Sequence, residues 1–403
     1  MSEAAVPLEA VRPVVRLKPR AQKRLVAGYP WVYSNEVEMD AAARSLPLGS
    51  VVRLESSDRE GLGTAFFNKL PLIAARVLSR DPDIEIDEAF LADRLERALA
   101  LRERLVAAPY YRLVHAEADG LPGLIVDRFD SALVLQLNTA GMERLRAPLL
   151  AALERLLAPG TIALRNDSQA RRLEGLESEV RVLKGTLSAP IEVIENGARY
   201  LADLREGQKT GWFFDQRENR AWIAPLAEGA RVLEAYCYTG GFTMQAARAG
   251  AEEILAIDRS EPALALAAEA AKLNGVEARC QFKKAEVFAE LQSLARAGER
   301  FELVIADPPA FVKSKRDFWQ GAKGYRKLAR LAASLVAPGG CLFIASCSHH
   351  MDPAQFAEQV RRGLNNAGRQ ARILRSSGAG PDHPVHPALP ESAYLKALVL
   401  ALD

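Results

Sequence analysis

The sequence predicts an α/β protein whose C-terminal half is a doubly wound parallel sheet closed by an antiparallel strand pair. A small β domain and an α+β segment precede it. Three observations carry the prediction. Beyond about Arg199, apolar strand-like runs, glycine turns and helical patterns alternate regularly, the texture of a parallel sheet with helices on both faces. The chain ends in ARILRS and AYLKALVLAL, two strand-like runs with no helix between them, so the last pair pairs antiparallel. Residues 11–80 carry short apolar runs, VVRL at 14–17, SVVRLES at 50–56 and LIAARVL at 72–78, punctuated by Gly, Pro, Ser and Asp, as in a small β-barrel.

The elements justify themselves in order. FLADRLERALALRERL, from Asp87 to about Leu105, repeats apolar residues at helical spacing. LIVDRFDSALVLQL at 124–137 reads as two strands joined by a polar turn, followed by a helix at about 141–157 and strands near 161–165 and 191–195. This middle segment holds no catalytic constellation. The C-terminal alternation then runs ARVLEAY, FTMQAARAG, EEILAID, a helix from Ser260 to Asn274, a third strand in QFKKAEVF, FELVIAD, a helix around 324–336, CLFIASC and a helix from Pro353 to about Asn366. Domain limits at 1–82, 83–196 and 197–403 follow from these changes of texture. The closing strand pair separates a class I methyltransferase sheet from an ordinary dinucleotide fold.

Composition sets bounds on function. At 403 residues with 49% hydrophobic and 26% charged, the chain has the make-up of two or three globular domains. Lys and Arg total 53 against 51 Asp and Glu, so a nucleic-acid surface has to be local. The four cysteines, Cys237, Cys280, Cys341 and Cys347, show neither CxxC pairs nor the density of a secreted disulfide framework. No metal-ligand cluster and no membrane-length apolar run is visible, and MSEAAVPLEA lacks signal-peptide order, so a cytoplasmic protein with no membrane and no metal partner is expected.

The chemistry concentrates after residue 230. Val232–Phe242 (VLEAYCYTGGF) is an apolar strand entering a glycine turn and then a helix, with Glu234 at the strand's end and Gly240-Gly241 letting the backbone approach a ligand. Asp258 ends the next strand, where a carboxylate accepts both hydroxyls of a ribose; spacing alone leaves a nicotinamide dinucleotide and an adenosyl cofactor both open. The turn is not GxGxxG, which disfavours a pyrophosphate. Ser260 as N-cap and Pro262 in the first turn start the following helix. Glu286, after the third strand, is a candidate for the adenine amino group. Tyr236 in the turn and Arg259 beside Asp258 complete this set.

FELVIAD ends in Asp307-Pro308-Pro309-Ala310-Phe311, two prolines holding an acid rigidly at the sheet's carboxyl edge, and CLFIASCSHH brings Cys347 to the same edge. A thiolate there has a purpose if the target is C5 of a pyrimidine: addition to C6 makes C5 nucleophilic. Asp307 then holds the base through N3 or N4. Cys237, Cys280 and Cys341 read as small buried hydrophobes. His349 and His350 are left without a role.

Two basic stretches suggest RNA. Between Ala10 and Asn35 six basic residues, among them Arg20, Lys23 and Arg24, stand with no acid, next to Tyr29, Trp31 and Tyr33. KSKRDFWQGAKGYRKLAR at 313–330 has seven basic residues and one acid with Phe318, Trp319 and Tyr325 interleaved, a positive loop in which Lys313, Lys315 and Tyr325 hold a backbone and stack a flipped base.

GQKTGWFFDQRENR at 207–220, EAYCYTGGF at 234–242, DPPAFVKSK at 307–315, GYRKL at 324–328, SCS at 346–348, and DHP with YLKA near the C-terminus together resemble the bacterial 23S rRNA (cytosine-C5) methyltransferase I family. RLKPRAQKRLVAGYPWVYSNEVE resembles that family's PUA domain, so the resemblance spans essentially the whole chain. It implies S-adenosylmethionine as cofactor and a cytosine of 23S rRNA, free or in a large-subunit assembly intermediate, as substrate. Cys347 matches the nucleophile, and Phe214, Asp215, Gln216 and Arg217 the wall of the cofactor and substrate cleft. A homodimer is left open. Other RNA cytosine-C5 methyltransferases place a second cysteine in the Asp-Pro-Pro region, and here Ala310 and Phe311 stand instead. Position 285 is Ala where an acid often precedes the one matching Glu286. The competing readings are methylation of a purine nitrogen, a nucleotide-dependent oxidoreductase, and an RNA-binding protein that keeps the fold without the chemistry.

Overall fold

The computed structural model describes residues 12–187 and 190–403. The N-terminal segment used above to argue against a signal peptide lies outside them. The chain forms two compact units, one built from the chain up to Arg104 with Arg112–Thr186 and His386–Leu389, the other from Leu105–Tyr111, Leu187–Val385 and Pro390–Asp403.

The first unit contains two five-stranded sheets. One orders its strands Val14–Arg16, Ser50–Glu55, Gly61–Phe67, Ile73–Ser79 and Trp31–Tyr33 around a core that includes Val15, Val32, Val52, Leu54, Phe67 and Ala75. The other orders Glu179–Lys184, Thr161–Asn166, Ala132–Leu137, Leu124–Phe129 and Tyr110–His115. The expected helices appear at Glu88–Leu105 and Arg146–Leu157. Strands at Gly61–Phe67 and Glu179–Lys184 were not read from the sequence, the first because its glycines weaken the alternating pattern and the second because it is a largely exposed edge.

The second unit is built on a seven-stranded sheet. Its strands are β1 (Arg231–Ala235), β2 (Glu253–Asp258), β3 (Cys280–Lys284), β4 (Phe301–Ala306), β5 (Val336–Ser346), β6 (Ala371–Ser377) and β7 (Lys396–Leu402), in the spatial order β3-β2-β1-β4-β5-β7-β6. The first five are mutually parallel, and β7 runs antiparallel to both β5 and β6, as the helix-free C-terminal runs require. Helices α1 (Gly241–Arg248), α2 (Glu261–Leu273), α3 (Val287–Ala297), α4 (Phe318–Leu335) and α5 (Pro353–Asn366) link them. Because both faces are covered, the inner strands are predominantly apolar, with charged residues such as Glu234 and Asp258 at or near their ends. Val232 and Ile305 pack into one core, and their neighbours Leu233 and Val304 into the other. Ser260 caps α2 by accepting from the Ala263 N–H, with Pro262 in the first turn.

Three expectations change. The strand read in QFKKAEVF stops at Lys284, because Glu286 caps α3 and Val287 is already helical. The stretch 313–330 is not a loop: α4 begins at Phe318, and Ala322, Tyr325, Leu328, Ala329 and Ala332 recur at helical spacing on its buried face. The 196/197 limit falls inside a hairpin, Ile191–Glu195 paired with Ala198–Ala202, which packs on α2 and belongs with the second unit.

Candidate active site

The carboxyl ends of β1 to β5 share one edge of the sheet, and Glu234, Tyr236, Gly240, Asp258, Asp307 and Cys347 lie at or just beyond it. At the end of β1 the chain turns with Tyr236 (φ 66°), Tyr238 (φ 49°) and Gly240 (φ 80°) all left-handed. Such conformations are costly for tyrosines and concentrate where a ligand is clasped. A Cβ on Gly240 would meet Ala267 Cβ at 3.2 Å and Met244 Cε at 3.3 Å, so the glycine serves both the turn and the close approach of α2. Glu234 is buried and accepts from the Thr243 hydroxyl. Burial pushes its carboxyl up to about 8, opposed by the Thr243 hydroxyl and by the main-chain N–H groups of Thr243 and Phe242, with Asp307 adding to the rise. Glu234 thus braces the N-terminus of α1 from beneath.

At the end of β2 one Asp258 oxygen accepts from Tyr238 N at 3.0 Å and the other from Ser260 N at 2.8 Å. Each oxygen keeps a second lone pair, so the pair still accommodates two hydroxyls. Glu286 Oε1 and Oε2 accept from Phe288 N and Ala289 N at 3.2 and 2.8 Å, so much of this acid's work is capping α3. Arg259 is exposed.

The ends of β4 and β5 bring Asp307 and Cys347 together, the thiol lying 4.0 Å from the Pro308 carbonyl oxygen. Burial raises the Asp307 carboxyl to about 7, Asp215 adds to the rise, and Gln216, Arg220 and Lys209 oppose it. Burial likewise pushes the Cys347 thiol above its ordinary value; Lys209 pulls it down, while Asp307 and Asp215 push it further up. Asp215 accepts from the Tyr394 hydroxyl, whose ring stacks on His349 at 5.2 Å.

Segment 212–220 is locked by a buried ion pair. Arg220 Nε and Nη2 meet Glu195 Oε1 and Oε2 at 2.7 and 3.0 Å, and Trp212 Nε1 donates to the same carboxylate at 3.2 Å. A Cβ on Gly241 would come within 3.1 Å of Arg220 Nη1, so the glycine turn packs against this guanidinium. Phe214, Asp215, Gln216 and Arg217 are consequently all buried. Gln216 acts on Asp307, holding its carboxyl down, and accepts from Asn219 Nδ2 at 2.7 Å; Arg217 reaches the Tyr110 carbonyl and Asp382.

A sequence model of S-adenosylmethionine-dependent methyltransferases matches residues 121–401, and one of PUA-like domains matches 15–80. The ribosomal RNA large subunit methyltransferase I of Aeromonas hydrophila subsp. hydrophila is 37% identical over 94% of this chain and 96% of its own. That of Shewanella amazonensis is 36% identical over 96% and 98%. The chain belongs to the ribosomal RNA large subunit methyltransferase I family. Solved structures agree on the fold: SMU.776 in complex with SAH superposes with a TM-score of 0.82 at 22% identity, over 96% of this methyltransferase and 99% of that chain. A Streptococcus mutans protein gives 0.81 at 22% identity.

S-adenosylmethionine is the cofactor of this methyltransferase family, and the residues present fit it. Thr239, in the glycine turn, is buried with a hydroxyl that finds no partner among the described residues, as expected of a group waiting for a polar ligand. Gly240 and Gly241 open the turn, Asp258 offers the lone pairs a ribose needs, and Tyr236 stands partly exposed beside Glu286 and Asp258. Among the described residues no group of three His, Cys, Asp or Glu is arranged to hold a metal ion, and no helix is long and apolar enough to cross a membrane.

The predicted RNA contacts of the methyltransferase divide. Arg20, Lys23, Arg24, Lys313 and Lys315 are at least partly exposed, the first three in the 15–80 region. The Arg24 guanidinium lies 3.9 Å above the Tyr29 ring. Trp31 is partly buried, its indole N–H donating to Glu117 at 2.7 Å, so little of the ring is offered to a base. Tyr325 is a correction: it is fully buried, its ring 4.8 Å from Phe311 and its hydroxyl 2.8 Å from Ser348 Oγ, and it supports the Asp307 and Cys347 turns from below. Helical register decided this, because α4 turns position 325 inward and leaves Trp319 74% exposed. Lys209, Thr239, Glu195, Tyr394 and Lys396 were missed as individuals. Lys209, Thr239, Tyr394 and Lys396 nonetheless lie within the motif runs quoted from the sequence.

Proposed function

We propose that this protein methylates C5 of a cytosine in 23S rRNA through a transient bond between Cys347 Sγ and C6 of the base. The observation that carries the reading is the placement of Cys347 beside the Asp307 turn, on the edge that also holds the Gly240 turn and Asp258. The names of the relatives, at 36–37% identity over nearly the whole chain, supply the substrate class. The PUA-like region with Arg20, Lys23 and Arg24, and the exposed Lys313 and Lys315, suit a phosphate backbone. An rRNA substrate in turn implies work in the cytoplasm, on free rRNA or an assembling subunit. The three-domain division is part of the same proposal, with 1–82 reading RNA and the C-terminal unit, which includes the 191–202 hairpin, carrying the chemistry.

When bound, S-adenosylmethionine supplies an electrophilic methyl group on a sulfonium. Cys347 provides the activation the base lacks: its thiolate adds to C6, and the electron pair released makes C5 the nucleophile that takes the methyl. Asp307, with its carboxyl near neutrality, donates a hydrogen bond to N3 as charge develops there, while Gln216 fixes its orientation. Transfer of the C5 proton to water then leaves its electron pair to restore the C5–C6 double bond and expel the thiolate. Asp258 holds the cofactor ribose, Tyr236, Arg259 and Glu286 flank the adenosine, and Phe214 to Arg217 form the wall that excludes water.

The test is nucleoside analysis of unmodified 23S rRNA incubated with the protein and methyl-labelled cofactor. Label in 5-methylcytidine is the expected result, and label only on a purine overturns the reading. Cys347→Ala should bind cofactor and transfer nothing; sustained turnover removes Cys347 from the mechanism.

A further inference from the structure

We infer that Lys396 is the positioning residue of the Cys347 nucleophile: its buried ammonium ties down the turn that carries the thiol and supplies the positive charge that favours the thiolate. The inference rests on the reading of Cys347 as nucleophile.

Lys396 opens β7 directly opposite Ser346 of β5, the residue before Cys347. It is only 6% exposed, an uncommon state for a lysine. Its Nζ donates to the Ser348 carbonyl at 2.5 Å and to the Tyr394 carbonyl at 2.8 Å, so one ammonium clamps the main chain on the far side of Cys347 to the segment carrying Tyr394. Among the described residues no carboxylate lies within ion-pair distance of Nζ. A buried ammonium without a carboxylate is expensive, and a strand end needs none.

The Lys396 ammonium is bonded to the residue immediately after Cys347. Burial lowers the Lys396 ammonium to about 8, and Cys347 and then Asp352 pull it back up. The other titratable groups around the thiol are Asp307 at the end of β4, Lys209 and Asp215 from the segment before α1, and His349, His350 and Asp352 after β5. Two carboxylates, Asp307 and Asp215, oppose a thiolate. Lys209 favours one but is exposed, where water screens it, whereas the field of Lys396 acts through protein. Lys396 therefore offsets the penalty that burial and two acids impose on the nucleophile.

The experiment is alkylation of the full-length protein by iodoacetamide as a function of pH, without RNA, with Cys347→Ala identifying the contribution of the other three thiols. Lys396→Gln keeps amide donors for the two carbonyls but loses the charge, and Lys396→Arg keeps the charge. In Lys396→Gln, Cys347 should react about tenfold more slowly at pH 7.5, with its profile displaced upward. At that pH Lys396→Arg should stay within about twofold of the parent. Binding of S-adenosylhomocysteine reports that each variant is folded. Unchanged alkylation in a folded Lys396→Gln overturns the inference. Should that variant not fold, Lys396→Arg decides. It keeps its charge above pH 8, where Lys396 loses its own, so at pH 9 Cys347 should be alkylated severalfold faster in Lys396→Arg than in the parent, and equal rates there refute the role. If Cys347→Ala still methylates, the nucleophile reading falls while the effect of Lys396 on the thiol stands. If Cys347→Ala is inactive and Lys396→Gln alkylates normally, the Lys396 inference alone falls.

Discussion

Removing the Glu195 carboxylate tests how segment 212–220 is held. Glu195 and Arg220 are 2% and 3% exposed, joined by two bonds of 2.7 and 3.0 Å. In Glu195→Ala the guanidinium keeps the Phe213 carbonyl at 2.7 Å and the Trp212 ring at 4.7 Å but loses its counter-charge. Breaking a buried pair from one side costs about 3–5 kcal/mol, and the stranded Trp212 indole N–H adds about 1 kcal/mol. Water entering the alanine cavity and the remaining contacts of Arg220 return part of this, so a net loss of about 3 kcal/mol is expected. For a unit of this size that is a fall in Tm of roughly 6–12 °C. Tryptophan fluorescence reports the right unit, because Trp212, Trp222 and Trp319, three of the four tryptophans, lie in it. Replacing both partners by leucine should cost much less than the two single changes summed. A Glu195→Ala protein that melts within 2 °C of the parent, or a leucine pair no better than the sum, refutes this account of the segment.

Three further outcomes follow from the site. Glu234, with a carboxyl near 8 in the folded protein, takes up a proton that the unfolded chain releases near its ordinary value, so its stability contribution is full below that value and lost as pH rises through 8. Glu234→Gln cannot titrate and should flatten the decline in Tm between pH 5 and 8, and an unchanged slope counts against the assignment. Asp307→Asn should lower kcat and abolish the kcat/KM inflection near pH 7 that the Asp307 carboxyl produces; an inflection that persists belongs to another group. Glu286→Ser keeps a cap on α3 whereas Glu286→Ala loses one at a cost of about 1 kcal/mol. If Glu286 also meets the adenine, both weaken S-adenosylhomocysteine binding severalfold in calorimetry, and tight binding by Glu286→Ser limits it to capping.

What the sequence determined by itself is the sheet and its carboxyl edge. Strands covered on both faces write predominantly apolar runs, Ser260 and Pro262 announce a helix start, and the absence of an α-helix between Ala371–Ser377 and Lys396–Leu402 forces an antiparallel close. Those local signals put Glu234, Gly240, Asp258, Asp307 and Cys347 at or just past strand ends. Only the tertiary structure decided what each side chain spends itself on. Glu286 divides its oxygens over the start of α3, and Tyr325 turns into the core because α4 begins seven residues before it. Glu195 finds Arg220 across 25 positions, and Lys396 finds Ser348 across 48. Periodicity records which face of an element is buried. It carries no mark of a hydrogen bond or an ion pair between elements, because the geometry that makes such a bond exists only after the elements have packed.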